Sequence, residues 1–132
     1  MANTTFTGPV RSENGFQSIT ESATGAVTTN ASYGKTITGG VHALSGAGAV
    51  DIINLVTEVT STGADALTLA DGTAGQVKII TMVVDGGDAT LTPTTFANGS
   101  TMTFADVHDT VMIVYANTIG WVIVSNSGVV VA

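Results

Sequence analysis

The sequence predicts an all-β protein, an antiparallel β-sandwich or small β-barrel with an extended N-terminal arm. Three observations predict it. The chain holds 17 Val, 9 Ile and 23 Thr against 5 Leu, and β-branched side chains lose rotamer freedom in a helix but pack well on a pleated surface. From Gly75 to the C-terminus apolar residues recur at period two in run after run, the mark of strands. Turn residues separate those runs roughly every ten positions, the spacing of a sandwich or small barrel. A chain of 132 residues can fill one core without staples, so residues 1–14 are expected to form the arm and 15–132 a single β-rich domain.

Residues 1–14 are polar and aperiodic, with Phe6, Pro9 and Val10 as the apolar anchors. Pro9 lacks an N–H and biases Gly8 towards extended geometry, so this segment reads as an arm. From Phe16 to Leu44 the apolar pieces are short: 16–19, 26–29, 35–38 and 41–44, punctuated by Gly25, Gly34 and Gly39-Gly40. They read as brief strands or loops. Ser45-Gly46-Ala47-Gly48 lacks the Lys-Ser/Thr ending of a phosphate loop and reads as a turn. Residues 49–59 fit helical spacing and strand alternation alike; their β-branched content favours one strand. A short strand follows at 65–70, and Asp71-Gly72 turns the chain.

Gly75 to Val84 is the stretch on which the rest is expected to build. One face carries Val77, Ile79, Thr81 and Val83; the other carries Lys78, Ile80, Met82 and Val84. Lys78 is expected to lay its stem on apolar surface and send its ammonium to water. A strand apolar on both faces is normally covered on both, here by a second sheet or a neighbouring copy. Asp85-Gly86-Gly87-Asp88 supplies a tight turn into 89–93, and Asn98-Gly99 is a hairpin signal between 94–97 and 100–104. Residues 110–116 are again apolar on both sides, through Val111, Ile113 and Tyr115 against Met112 and Val114. Turns at 117–120 and 126–128 lead into strands at 121–124 and 129–131. The final Val-Val-Val must be covered, because an exposed apolar edge recruits other strands.

Candidate chemistry is sparse. Asp106, His108 and Asp109 could offer two or three metal ligands, but nothing nearby completes a shell, and His42 reads as a satisfied strand histidine. Nine serines include no Gly-x-Ser-x-Gly elbow. Asp85 and Asp88 sit on a turn, where acids mostly serve turn geometry. Trp121 could stack on a sugar, but fits a core or interface aromatic better. The sequence therefore predicts no enzyme, no cofactor and no metal.

Charge narrows the partners. Three cations, Arg11, Lys35 and Lys78, face ten carboxylates for a net −7; they cannot form a phosphate-binding stripe, so neither nucleic acid nor an anionic membrane is an expected partner. Charged residues make up 10% against a usual ~25%, which points to surface shared with other subunits. Cysteine is absent, excluding disulfides and thiol chemistry. No run reaches a membrane span, and the N-terminus lacks the basic and apolar regions of a secretory signal, so assembly in a cytoplasm is expected.

Phe6-Thr7-Gly8-Pro9-Val10-Arg11-Ser12-Glu13-Asn14-Gly15-Phe16 resembles the openings of small structural proteins of tailed bacteriophages. Gly75 to Ile80, Leu91-Thr92-Pro93-Thr94, Met102-Thr103-Phe104, Asp109-Thr110-Val111 and Gly120-Trp121-Val122 are similar to a pattern of phage head and fibre modules. The resemblance is to capsid decoration (cement) proteins, which sit as trimers on the outer surface of the head. It implies a non-enzymatic homotrimer whose arm, through Phe6, Pro9, Val10 and Arg11, contacts the major capsid protein by adding a strand to a sheet edge. Val77, Ile79, Ile80, Met82, Val84, Met112, Val114 and Trp121 would then form the core and the subunit interface. A head-fibre, tail-fibre or receptor-binding module, and a carbohydrate-binding β-sandwich adhesin, are the alternatives.

Overall fold

The computed structural model describes residues 40–132 in full, together with the strands β1 (Phe16–Glu21) and β2 (Val27–Tyr33). The chain divides into two compact units, Met1–Thr38 and Gly39–Ala132. In the first, β1 and β2 pair as an antiparallel hairpin with a bulge between Ser18 and Ile19. The arm over residues 1–14, with Phe6, Pro9, Val10 and Arg11, and the strand expected at 35–38 lie outside the described residues.

The second unit begins with three coils. Each coil lays one strand in a first sheet, turns a corner and lays the next in a second sheet. The pairs are β3 (Val41–Ser45) with β4 (Gly48–Val50), β5 (Val56–Thr60) with β6 (Asp65–Leu69), and β7 (Val77–Val84) with β8 (Ala89–Pro93). Stacked coils put β3, β5 and β7 parallel in one sheet and β4, β6 and β8 parallel in the other. Four antiparallel strands finish the stack: β9 (Met102–Phe104) on β8, β10 (Thr110–Ala116) on β7, β11 (Gly120–Ser127) on β10, and β12 (Val130–Val131) on β9. The orders are β11-β10-β7-β5-β3 and β12-β9-β8-β6-β4.

The fold is all-β, with no helix among the described residues, and its two sheets pack as an open sandwich that does not close into a barrel. Strand direction departs from the expected antiparallel pattern, because both sheets are mixed. Corners explain the difference. Asp85 to Asp88 does turn the chain sharply, Asp85 Oδ1 accepting the Gly87 N–H at 2.8 Å, but it carries the chain across to the other sheet. A hairpin and a corner use the same Gly and Asp residues, and only the pairing of the flanking strands separates them.

Two further expectations are corrected. Residues 49–59 are two strands divided by a loop at 51–55, where the Asp51 carboxylate accepts the N–H groups of Ile53 (3.1 Å) and Asn54 (2.9 Å) and the Asn54 amide (2.6 Å). A short polar side chain that satisfies local N–H groups competes with a strand ladder. Asn98-Gly99 makes no hairpin. Residues 94–98 instead run beside β11, where the Trp121 N–H donates to Thr95 O (3.0 Å) and the Ala97 N–H to Trp121 O (2.9 Å).

Between the sheets lies one apolar core. Val59, Ile80, Met82, Val111, Ile113 and Trp121 meet Leu67, Leu69, Leu91, Met102 and Phe104, all essentially inaccessible. Each large side chain so buried contributes roughly 1.5–3 kcal/mol. Trp121 satisfies its ring N–H on Ala70 O at 2.9 Å and meets Tyr115 edge to face, centroids 5.3 Å apart.

Lys78 corrects the sequence reading outright. Its side chain is fully buried on the core face of β7. The ammonium does not reach water; it donates to Asn54 O and to Thr57 Oγ1 (3.2 Å) and lies 3.6 Å from Asp51 Oδ1. Its parity on β7 dictates this, because Lys78 shares a face with Ile80 and Met82, and that face is the inner one.

Candidate assembly face

Alternation along β7 sends Lys78, Ile80 and Met82 inward, leaving Val77, Ile79, Thr81 and Val83 on the outer face of the first sheet. Register aligns these with their neighbours. One row across the sheet runs Val41, Val56, Ile79, Met112 and Ser125. The row beside it joins Val77, Val114 and Val122. A third row runs Ala43, Glu58, Thr81, Thr110 and Ser127, with the Thr110 hydroxyl bonded to the Thr81 hydroxyl at 2.7 Å.

The outer face thus has an apolar half and a polar half, and Glu58 is the one ionisable side chain on these three rows. Val41 is 56% exposed and Val77 37%, while Val56, Ile79, Met112, Val114 and Val122 are half-buried. Side chains standing shoulder to shoulder on a pleated sheet shield one another in this way. Ile52 and Ile53, the latter 90% exposed, extend the apolar surface at the rim. The rim loop is held from three sides: by the Asp51 bonds, by Lys78 on Asn54 O, and by the Gln76 amide on Ile52 O.

The residues singled out from the sequence fall into two groups, with Val84 as the exception. Val77, Ile79, Met112 and Val114 come together on the outer face, while Ile80, Met82 and Trp121 belong to the core. Val84 joins neither group: it is 49% exposed beside Thr60 at the end of β7, where a register shift leaves Val83 unpaired. Val41, Val56 and Val122 complete the apolar rows and were missed. Their signal is cross-strand, and it needs the parallel register of β3, β5 and β7 to be seen.

The groups weighed for chemistry serve the fold. The Asp109 carboxylate accepts the N–H groups of Ala105 (2.8 Å) and Asp106 (3.1 Å), fixing the turn before β10, and His108 sits there at φ 77°. His42 places Nδ1 3.7 Å from Asp51 Oδ2. Among the described residues no three His, Cys, Asp or Glu side chains gather as metal ligands, and no pocket opens. Trp121 offers no sugar platform, because its ring is enclosed.

Burial acts to lower the pKa of Lys78 below the ordinary amine value, opposed by the attraction of Asp51. Burial also acts to raise the Asp51 carboxyl; the hydrogen bonds from Asn54 and the charges of Lys78 and His42 outweigh it and hold the group below the ordinary carboxylate value.

Fold and face together define a class: a two-sheet β-protein of stacked coils that presents an apolar sheet face. No protein-family model matches the chain, and the search of curated proteins finds no significant relative.

Proposed function

We propose that this chain is a non-enzymatic virion structural protein, a capsid decoration protein that stabilises the head of a tailed phage as a homotrimer. It would be assembled in the host cytoplasm onto the outer capsid surface. One observation supports association above all: the aligned apolar rows of Val41, Val56, Ile79 and Met112 and of Val77, Val114 and Val122 on the outer face of the first sheet. Burying such rows against other copies removes apolar surface from water at ~25 cal/mol per Å², and a standard interface buries ~1,600 Å² in all. The virion context is supported by the resemblance of residues 6–16 and of the later strand motifs.

Two measurements test the reading. Sedimentation velocity should show a three-fold species that Ile79→Glu abolishes while the circular dichroism spectrum and thermal midpoint stay within error. A trimer that survives Ile79→Glu removes the outer face from the interface. Deleting residues 1–14 should leave the trimer intact and end its binding to purified capsids. Undiminished binding would refute the arm's role.

A further inference from the structure

Lys78, Asp51 and Asn54 form a cluster that the assembly reading leaves unused. The Lys78 side chain is fully buried, and its nitrogen donates to the Asn54 main-chain oxygen and to Thr57 Oγ1 (3.2 Å). Asp51 stands between that nitrogen and the side-chain amide of Asn54. Its Oδ1 is 3.6 Å from Lys78 Nζ, and its Oδ2 accepts the Asn54 Nδ2–H at 2.6 Å. Gly40 fixes the amide from another side, because a Cβ there would collide with Asn54 Oδ1. A primary amine, a carboxamide and a bridging carboxylate therefore meet where the 51–55 loop crosses β7.

We propose that Lys78 and Asn54 join in an intramolecular isopeptide bond, with Asp51 carrying the proton between the two nitrogens. Nζ, as the free amine, attacks Asn54 Cγ while the Asp51 carboxylate takes a proton from Nζ. The carboxyl hands that proton to Nδ2, the Cγ–Nδ2 bond breaks, and ammonia leaves. The product is a secondary amide, Asp51 returns as a carboxylate, and nothing is oxidised or reduced.

The surroundings favour each part of the step. Burial disfavours the ammonium and so favours the nucleophilic amine, the direction in which Lys78 is shifted. Holding nucleophile and amide on neighbouring groups makes the reaction unimolecular. Nζ reaches Cγ by leaving the main-chain oxygen of the same residue, a rotation at the end of the lysine chain. Asn54 is the electrophile rather than Asp51, because Asp51 is held in its ionised form and an anionic carboxylate repels a nucleophile. Asn54 is half-buried, so ammonia has a way out to solvent. The bond ties the rim loop to β7; until it forms, Lys78 remains a titratable amine.

The folded full-length chain is followed by intact mass spectrometry from the time of purification. Each molecule should lose the mass of one ammonia, at a rate independent of protein concentration. Cyclisation at Asn14-Gly15 or Asn98-Gly99 would release the same mass, so the site is read after cleavage before aspartates. That cleavage leaves Asn54 in residues 51–64 and Lys78 in residues 71–84, and the two should emerge as one branched peptide. Asn54→Ala should give no branched peptide. Asp51→Ser, which keeps an oxygen for the Ile53 and Asn54 N–H groups, should slow its formation by roughly 100-fold or more; circular dichroism checks that each variant is folded. A wild-type chain whose residues 51–64 and 71–84 stay separate through several days in the folded state overturns the proposal. So does a branch formed with loss of water, which places the bond on Asp51, or an Asp51→Ser chain that links at the wild-type rate.

Discussion

Lys78 carries a positive charge into a place without water, and such a charge persists only where acceptors replace the solvent. Asn54 O and Thr57 Oγ1 supply two, and Asp51 supplies the counter-charge. Removing the carboxylate leaves the ammonium buried without its counter-ion and frees the N–H groups of Ile53 and Asn54, so Asp51→Ala should destabilise the fold by about 3 kcal/mol, read from urea unfolding. The pH dependence has a definite sign. Lys78 has its folded pKa below the unfolded value of 10.5, so between the two the unfolded chain binds more protons, and stability rises as pH climbs through that window. Lys78→Met should lose the alkaline rise. Asp51, depressed below 3.8, contributes stability that is present above that value and lost as pH falls through the lower folded one. A flat profile in the wild type between neutral pH and 10 would contradict the buried placement of Lys78.

At the scale of elements, the stack is held as much by its corners as by its strands. The Ser61 N–H donates to Val84 O and the Asp65 N–H to Asp88 O, both at 2.9 Å, and the Gly86 N–H donates to Ser61 Oγ at 3.0 Å. One corner therefore lies directly on the next. A Cβ on Gly86 would stand 2.4 Å from the main-chain oxygen of Ser61, whereas one on Gly63 meets nothing within 4 Å. Gly86→Ala should cost about 1–3 kcal/mol through overpacking, and Gly63→Ala should be near neutral, both measured as shifts in the urea midpoint. Equal effects would mean that the corners do not stack. The same corners set the limit of what the residues reveal. Period two located β7, β8 and β10 almost to the residue, because alternation is local and depends on burial of one side chain at a time. Partner choice is not local. Whether Asp85 to Asp88 folds β7 back on itself or hands the chain to the other sheet depends on strands far away, and so does the alignment of Val41 and Val56 with Ile79. Asp51 escaped notice for a related reason: its carboxylate ends a strand through bonds that a β-branched run does not announce, and its partner Lys78 lies 27 positions further along the chain.

For the whole molecule, association has to overcome charge. Each copy carries −7, so three together carry −21, and bringing them into contact raises their mutual repulsion. The outer face sets apolar rows against that repulsion, with Glu58 as the one ionisable side chain on the three paired rows. An interface of this kind responds to salt in one direction. Raising ionic strength from 0.01 M to 0.15 M shortens the Debye length from about 30 Å to about 8 Å, which screens like charges spread over the surface and leaves apolar burial intact. The three-fold species should therefore become tighter with salt. It should tighten again as pH falls from 7 towards the sequence pI of about 4.2, where the net charge fades before the Asp51 carboxylate is protonated. Sedimentation at fixed protein concentration across a salt series reads the sign directly. Dissociation by salt would mean that ion pairs join the copies, and the rows of Val41, Val56, Ile79 and Met112 would then not be the surface that does so.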